Sequence, residues 1–238
     1  MPHRFSRQNR DAVILLHGLA RTKASMSRIQ THLQQHGFMV VNQGYPSRNN
    51  PIEMLSGNTI PLALEQCKKH CAQKIHFVTH SLGGILVRHY LAHNVLTNLG
   101  RVVMLSPPNS GSEVVDKLKN LFFFKWLNGP AGRQLGTDAD SIPNQLGLPD
   151  YELGIIAGDQ TVNPILSWLI PGKNDGKVSV ERARLEGMKD FLIVHKSHPF
   201  IMNDPFVLEQ IQNFIVDGKF SHNHHPNSRQ PYPKQKKY

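Results

Sequence analysis

The sequence predicts an α/β fold, with a mostly parallel, doubly wound sheet and helices on both of its faces. Segments that are apolar throughout, such as 12–16, indicate strands that are buried on both sides. Amphipathic helical segments alternate with these strands, which is the order that parallel β-α-β units produce. A chain of 238 residues suits one large domain better than two small ones.

The predicted elements follow in a regular order. Gly37 and Gly218 each follow a helical pattern, at a position where glycine commonly ends a helix, and Pro61 favours a bend within the longest one. We predict helices at 25–36, 52–71, 82–96 and 204–216. We predict strands at 12–16, 38–42, 75–79, 101–106, 151–158 and 191–194.

Two segments depart from this alternation. Residues 107–150 are rich in proline and glycine and show no regular pattern, so we predict a cap- or lid-like insertion over the carboxyl edge of the sheet. Residues 221–238 are basic and polar, with almost nothing to bury, and are predicted to be a disordered tail. The segment 1–220 would then be a single domain.

The formal net charge is +10, and much of it lies at the two ends of the chain. Basic ends can bind nucleic acid or an anionic membrane, but no zinc-finger or RNA-recognition signature accompanies them. We therefore expect no nucleic-acid partner and at most a weak contact with membrane surfaces. No apolar run of about 18 residues is present, so we expect no transmembrane helix. The terminal charges are Arg4, Arg7, Arg10, Lys219, Arg229, Lys234, Lys236 and Lys237.

The two cysteines, Cys67 and Cys71, are four residues apart on a predicted helix. Two thiols without further ligands make a poor metal site, and a disulfide at this spacing is unusual, so we predict two reduced cysteines on one helix face. The first ten residues contain no apolar stretch typical of a signal peptide. Both observations favour a cytoplasmic location, and we predict no cofactor and no metal.

The segment 75–84 is predicted to pass from a buried strand through a sharp turn into a helix, with Ser81 at the corner. Such a turn holds a nucleophilic serine in a strained, accessible conformation, and the following helix N-terminus offers free N–H groups to an oxyanion. The usual pattern is Gly-x-Ser-x-Gly, and Thr79 replaces its first glycine. The five-residue motif alone is therefore weak, and an ordinary strand end is an equally good interpretation.

A serine nucleophile needs a base and an acid that orients the base. Asp175 follows the fifth strand through a loop rich in proline and glycine, and Asp159, directly after that strand, is the alternative acid. His198 lies in the loop after the last strand, from which a base can reach back over Ser81, and His195 at the end of that strand is the alternative base.

Four segments resemble the α/β-hydrolase superfamily, in particular its small bacterial lipase- and esterase-like serine hydrolases. They are LLHGL at 15–19, VTHSLGG at 78–84, NDGKV at 174–178 and SH at 197–198, and the stretch 106–112 is similar to the family's loop after the strand that follows the elbow helix. The resemblance implies the α/β-hydrolase fold, with Ser81 as nucleophile, Asp175 as orienting acid and His198 as base. Thr79 departs from the commonest pattern, although related esterases tolerate small non-glycine residues there.

An oxyanion hole would use the backbone N–H of Leu82, after the nucleophile, and that of Leu19, in the loop after the first strand. Gly18 permits a tight turn in that loop. We predict that His17 holds the loop through hydrogen bonds, and that His80 packs beside the site or positions it.

The sequence thus predicts a serine hydrolase of carboxylic esters that works through an acyl-enzyme. A thioesterase or acyltransferase would use the same residues, and a catalytically silent binding protein on this fold is a further alternative. An aromatic run at 122–126 hints at an apolar acyl group, although aromatic residues at helical spacing are more often part of a core. The oligomeric state and the natural substrate are not predicted.

Overall fold

A computed structural model describes residues 10–118, 122–162 and 164–222 of the chain. Its centre is a sheet of six strands, all parallel, in the order β2-β1-β3-β4-β5-β6. This confirms the predicted α/β class. The strands are β1 (Ala12–Leu16), β2 (Met39–Gln43), β3 (Ile75–His80), β4 (Leu99–Leu105), β5 (Leu153–Gly158) and β6 (Asp190–Val194).

The helices are α1 (Ser27–Gln35), α2 (Ile52–Lys69), α3 (Leu82–His93), α4 (Glu113–Leu118), α5 (Phe122–Arg133), α6 (Ile142–Gln145), α7 (Pro164–Trp168), α8 (Val180–Ala183) and α9 (Pro205–Asp217). The helices α1, α2 and α3 connect the strands from β1 to β4, the helices α4 to α8 lie between β4 and β6, and α9 follows β6. Short 3₁₀ turns at Lys23–Met26 and Ile201–Asn203 precede the first and last of these helices.

The core lies in two layers, one on each face of the sheet. Because side chains alternate along a strand, Ile14 packs with α2 and α3, whereas Val13 and Leu15 pack with α1 and α9 on the opposite face. Burying one such aliphatic side chain contributes ~1.5–3 kcal/mol to folding. Helices on both faces therefore bury β1, β3 and β5 completely, which explains the continuous apolar run of β1.

The parallel arrangement brings the carboxyl ends of all six strands to one edge of the sheet. β3 lies between β1 and β4, with Leu16 paired to Thr79 and His80 paired to Leu105. The loops after these three strands therefore meet around the turn that follows His80. This is the edge at which open α/β sheets bind their ligands.

Several element boundaries differ from the predictions by two or three residues. α3 ends at His93 rather than near residue 96, because Asn94 adopts an extended conformation with φ −142° and ψ 136°. The fifth strand begins at Leu153 rather than at Tyr151. The predicted end of α9 is confirmed, since Gly218 has φ 71° and donates its N–H to the carbonyl of Phe214 at 2.9 Å.

The prediction for the two cysteines is wrong in one respect. α2 ends at Lys69, and Cys71 lies beyond it with φ 54°, so the chain turns away from the helix before this residue. Cys67 is buried in the core, Cys71 is exposed, and both thiols are free. The two cysteines do not share a helix face.

Three helices, α4, α5 and α6, occupy the segment predicted as an insertion. No helix among the described residues is long and apolar enough to cross a membrane, and those residues contain no cluster of three potential metal ligands. The predicted tail lies outside the described residues from position 223 onward, and so do Arg4 and Arg7.

Candidate active site

Ser81 occupies the corner between β3 and α3, as the segment 75–84 predicts. Its φ of 52° and ψ of −120° are strained values for a residue with a side chain. The Ser81 N–H donates to the carbonyl of Leu105 at 2.9 Å, which fixes the turn to the end of β4. Strain at a single serine, held by neighbouring strands, is typical of a functional position.

Two glycines allow the loop after β1 to approach this turn closely. A Cβ atom on Gly83 would lie 2.6 Å from the carbonyl oxygen of Leu16, and one on Gly18 would lie 2.8 Å from Nδ1 of His80 and 3.2 Å from Cβ of Ser81. Side chains at either glycine would push the β1 loop and the turn apart. The glycines therefore hold the loop that contains Leu19 against Ser81.

Thr79, which departs from the usual pattern, fits without disturbing the turn. It is fully buried, and its hydroxyl points toward the carbonyl of Val103 at 3.5 Å. A Cβ on Gly84 would come within 3.2 Å of the Thr79 hydroxyl oxygen, so Gly84 provides the space that the threonine needs. Gly84, directly after the second glycine of the pattern, thus compensates for the larger Thr79 side chain at the first glycine position.

Asp175 and His198 form a buried hydrogen-bonded pair. The Nδ1 atom of His198 lies 2.7 Å from Oδ2 of Asp175, and the two side chains are 5% and 1% exposed. The backbone N–H of His198 also donates to the carbonyl of Asp175 at 3.0 Å, which ties the two loops together. Because Nδ1 bonds to the carboxylate, the Nε2 atom of His198 is available for proton transfer.

The Asp175 carboxylate is surrounded by donors. Its Oδ1 accepts the backbone N–H groups of Lys177 at 3.0 Å and Val178 at 2.9 Å. Burial acts to raise the pKa of Asp175. The charge of His198 and its hydrogen bond, together with the Ser106 hydroxyl and the Val178 N–H, outweigh burial, so the pKa of Asp175 is lowered. Asp175 is therefore a carboxylate, suited to orienting a base.

Sequence reasoning missed the role of Ser106. This residue follows β4 as Ser81 follows β3, and it too has a positive φ, of 46°. Its hydroxyl contributes to the lowered pKa of Asp175 and accepts the N–H of Gly158 at 3.3 Å. Ser106 thus ties the end of β4 to the end of β5 beside the carboxylate. The sequence signals for it are its place directly after a buried strand and the resemblance of the stretch 106–112 to the family's loop.

The alternative acid and base, Asp159 and His195, also form a pair. Nδ1 of His195 lies 2.9 Å from Oδ1 of Asp159, so hydrogen bonding alone does not separate the two candidate pairs. The His195 side chain is 59% exposed, whereas the His198 ring packs on His80, with ring centroids 4.7 Å apart. Among the described residues, Asp175–His198 is the pair with a hydrogen bond and a ring contact to the turn.

His80 links the Ser81 turn to the His198 loop directly. Its Nε2 lies 3.0 Å from the carbonyl oxygen of His198, and since a carbonyl only accepts, Nε2 is the donor. Burial and the nearby charges of His198, Lys177 and Arg21 lower the pKa of His80 well below its ordinary value, so the ring is neutral. The structure supports the prediction that His80 positions the site.

His17 holds the loop after β1, as predicted. Its Nδ1 bonds to the carbonyl of Gly18 at 2.9 Å, its Nε2 accepts the N–H of Tyr45 at 3.3 Å, and the two rings stack with centroids 4.1 Å apart. The pKa of His17 is lowered by burial, consistent with a neutral structural ring. Leu19 follows in this loop, and Leu82 begins α3, where a helix leaves its first N–H groups without intrahelical acceptors.

No known protein-family profile matches the chain, and no curated protein sequence matches it either. Many solved structures share its architecture. The mature lipase BlEst2 of Bacillus licheniformis superposes with a TM-score of 0.66 at 18% identity, over 83% of this chain and 89% of that chain. The metagenomic carboxyl esterase MGS0156 gives a TM-score of 0.60 at 14% identity, over 82% of this chain and 66% of that one.

The chain has the α/β-hydrolase fold. The propeptide form of BlEst2 superposes over 97% of this chain with a TM-score of 0.69 and 18% identity, although the match spans only 54% of that longer chain. The predicted resemblance to lipase- and esterase-like α/β-hydrolases is therefore confirmed at the level of the fold. What the site does has to follow from its own residues.

Proposed function

We propose that this protein is a serine hydrolase that cleaves carboxylic esters, with Ser81 as nucleophile, His198 as general base and acid, and Asp175 as the acid that orients His198. The single observation that carries this proposal is the buried 2.7 Å hydrogen bond between Asp175 and His198 beside the strained Ser81 turn. The comparison with lipase and esterase structures supports the same reaction class.

In the first half of the reaction, Nε2 of His198 takes the proton of the Ser81 hydroxyl as Oγ bonds to the ester carbonyl carbon. The backbone N–H groups of Leu82 and Leu19 hold the oxyanion that forms. The bond between the carbonyl carbon and the leaving oxygen then breaks, and His198 passes its proton to that oxygen. An alcohol departs and Ser81 carries the acyl group.

In the second half, water replaces the alcohol. His198 takes a proton from the water as its oxygen bonds to the acyl carbon, and then returns the proton to Ser81 as the acyl–enzyme bond breaks. Throughout, Asp175 stabilises the protonated His198 ring. Ser81 and His198 share no hydrogen bond among the described residues. Such bonds are often long without substrate and shorten in the reacting complex.

The test combines labelling with a fluorophosphonate probe and hydrolysis of p-nitrophenyl esters of increasing chain length. We expect the wild-type protein to react with the probe and to hydrolyse short or medium esters, and Ser81→Ala to do neither. A folded wild-type protein that neither reacts nor hydrolyses would contradict the proposal and favour a silent binding protein on this fold.

The same experiment separates the alternatives that share this chemistry. A matched thioester in the panel, and an alcohol acceptor added to the ester assay, distinguish thioesterase and acyltransferase activity from ester hydrolysis. Preferred cleavage of the thioester, or formation of a new ester at the expense of free acid, would replace hydrolysis of oxygen esters as the assignment. Labelling of Ser81 would be expected in all three cases.

A further inference from the structure

Arg21 lies at the mouth of the candidate active site. It ends the turn that contains Leu19, and its backbone N–H donates to the carbonyl of Gly18 at 3.3 Å. Gly18 in turn lies against Ser81, since a Cβ atom there would be 3.2 Å from Cβ of the serine. The Arg21 residue is exposed, so its charged side chain is accessible to solvent beside this loop.

Lys177 approaches the same place from the opposite loop. Its backbone N–H binds the Asp175 carboxylate at 3.0 Å, and its carbonyl accepts the hydroxyl of Ser112 at 2.7 Å, so the residue is anchored beside the acid. Although the residue is exposed, surrounding atoms and the positive charge of Arg21 lower the pKa of Lys177, while the charge of Asp175 raises it. The two residues therefore lie on the two loops that adjoin the Ser81 turn and the Asp175 carboxylate. Their positive charges contribute to the lowered pKa of His80 in that turn.

The carboxylates of the surrounding loops are already paired with other groups. Asp175 binds His198, Asp159 binds His195, and Glu113 binds the Arg182 guanidinium at 2.6 Å. Within residues 10–118, 122–162 and 164–222, neither Arg21 nor Lys177 forms an ion pair. Two unpaired cations on adjoining loops attract an anion that lies between them.

We infer that Arg21 and Lys177 form a binding site for an anionic group of the substrate, a carboxylate or a phosphate, close to the ester bond that is cleaved. This inference rests on the proposed ester hydrolysis and adds the substrate class. The substrate is an ester that carries a negative charge on its acyl or alcohol part. Arginine offers a planar pair of donors and lysine a mobile point charge, a combination suited to either anion.

The test compares charged esters with neutral esters of nearly the same shape. On the acyl side the pair is the mono-p-nitrophenyl ester of glutaric acid and the p-nitrophenyl ester of glutaramic acid. On the alcohol side it is p-carboxyphenyl and p-carbamoylphenyl butyrate, with p-phosphonophenyl butyrate to distinguish phosphate-like from carboxylate groups. The pair that shows a preference for charge identifies the side of the ester on which the anion lies.

We expect kcat/KM of the wild-type protein to favour the anionic member of one pair by about tenfold at low salt. The variant Arg21→Gln/Lys177→Gln should abolish that preference, and its backbone N–H at position 177 still binds Asp175. Raising the ionic strength from ~0.02 to ~0.5 M should also weaken the preference, because salt screens partly exposed charges. The readout is the ratio of kcat/KM for the anionic ester to kcat/KM for its neutral partner. A general loss of activity lowers both values and leaves this ratio unchanged.

The matched control is Arg10→Gln/Lys74→Gln, which removes an arginine and a lysine that are exposed at the opposite, amino edge of the sheet. Its change in net charge is identical, and we expect it to keep the preference. A wild-type protein without any preference for charged esters would overturn the inference. So would an equal loss of preference in both double variants, which would show that only the overall charge matters.

A binding measurement separates failure of this inference from failure of the proposed function. Calorimetry should show that Ser81→Ala binds monomethyl glutarate, or the matching phosphonate, more tightly than the neutral methyl ester of glutaramic acid. Adding the Arg21→Gln and Lys177→Gln substitutions should remove this difference in affinity. If the wild-type protein fails to hydrolyse esters but this difference in affinity is found, the anion site stands and the hydrolase proposal falls. Equal affinities for charged and neutral ligands would refute the anion site even in an active enzyme.

Discussion

The Nε2 atom of His80 lies 3.0 Å from the carbonyl oxygen of His198, so the residue before the proposed nucleophile holds the loop of the proposed base. The two residues are 118 positions apart in the chain. Their rings also pack together, with centroids 4.7 Å apart. This contact couples the Ser81 turn to the position of His198 without involving Asp175.

Replacing His80 should therefore reduce turnover by misplacing the base. His80→Phe keeps an aromatic ring but removes the donor, and we expect kcat to fall about 10- to 100-fold with a smaller effect on KM. His80→Gln retains an N–H donor and should recover part of the loss. Steady-state kinetics of both variants make the comparison. A normal kcat in His80→Phe, or no recovery in His80→Gln, would mean that the hydrogen bond does not position His198.

The two Asp–His pairs provide a matched test of the catalytic assignment. We expect His198→Ala to lower kcat by at least ~10³-fold and Asp175→Asn to lower it severely as well, because the base is lost or disoriented. His195→Ala and Asp159→Asn break an equivalent hydrogen bond away from the turn and should leave ester hydrolysis nearly unchanged. Kinetics of the four variants on one ester decide between the pairs, and a larger loss in the Asp159–His195 set would reverse the assignment.

The stability of the fold should decrease below about pH 6.5, the ordinary pKa of histidine. Burial lowers the pKa of His17, His76 and His80, so the unfolded chain takes up protons that the folded chain does not. Protonation then favours unfolding, and each such histidine reduces the free energy of unfolding by up to ~1.4 kcal/mol per pH unit as the pH falls.

Urea unfolding at pH 7.5, 6.5 and 5.5 measures this decrease, because these pH values lie above, at and below the ordinary histidine pKa of ~6.5. His80→Gln removes one of these buried histidines, so its stability should depend less on pH than that of the wild-type protein. An equal pH dependence in the two proteins would show that His80 does not stay neutral in the folded state.

The turn glycine Gly83 should be intolerant of a side chain, whereas Gly57 should accept one. Gly83→Ala places a Cβ 2.6 Å from the backbone oxygen of Leu16, and we expect a loss of ~1–3 kcal/mol in stability together with lower activity. Gly57 is exposed within α2, and a Cβ there would have no atom within 4 Å. Gly57→Ala should stabilise the protein by ~0.5–1 kcal/mol through its better helix propensity. Denaturant titration compares the two, and equal stability of both variants would contradict the close approach.

The sequence alone determined the fold class and the order of the six strands and of the helices α1, α2, α3 and α9. Runs such as Ala12–Leu16 are apolar on both sides, a pattern that only a sheet covered by helices on both faces can bury. The same local pattern predicted the strand–turn–helix with Ser81 at its corner, because strand and helix periodicities change there over a few residues. The end of α9 at Gly218 is another local feature, since glycine adopts the left-handed conformation without strain.

Only the tertiary structure decided which polar residues surround Ser81. Asp175 and Asp159, and likewise His198 and His195, were alternatives in the sequence, and both pairs are hydrogen bonded in the fold. What separates them is packing between loops that are distant in the chain, which local periodicity does not encode.

The same reason applies to the residues that the sequence did not reveal. Ser106 influences the pKa of Asp175, and Arg21 that of Lys177, because the parallel sheet brings the ends of separate strands to one edge. Each of these residues is ordinary in its own segment. Their chemistry arises from contacts across the edge of the sheet, and therefore from the fold as a whole.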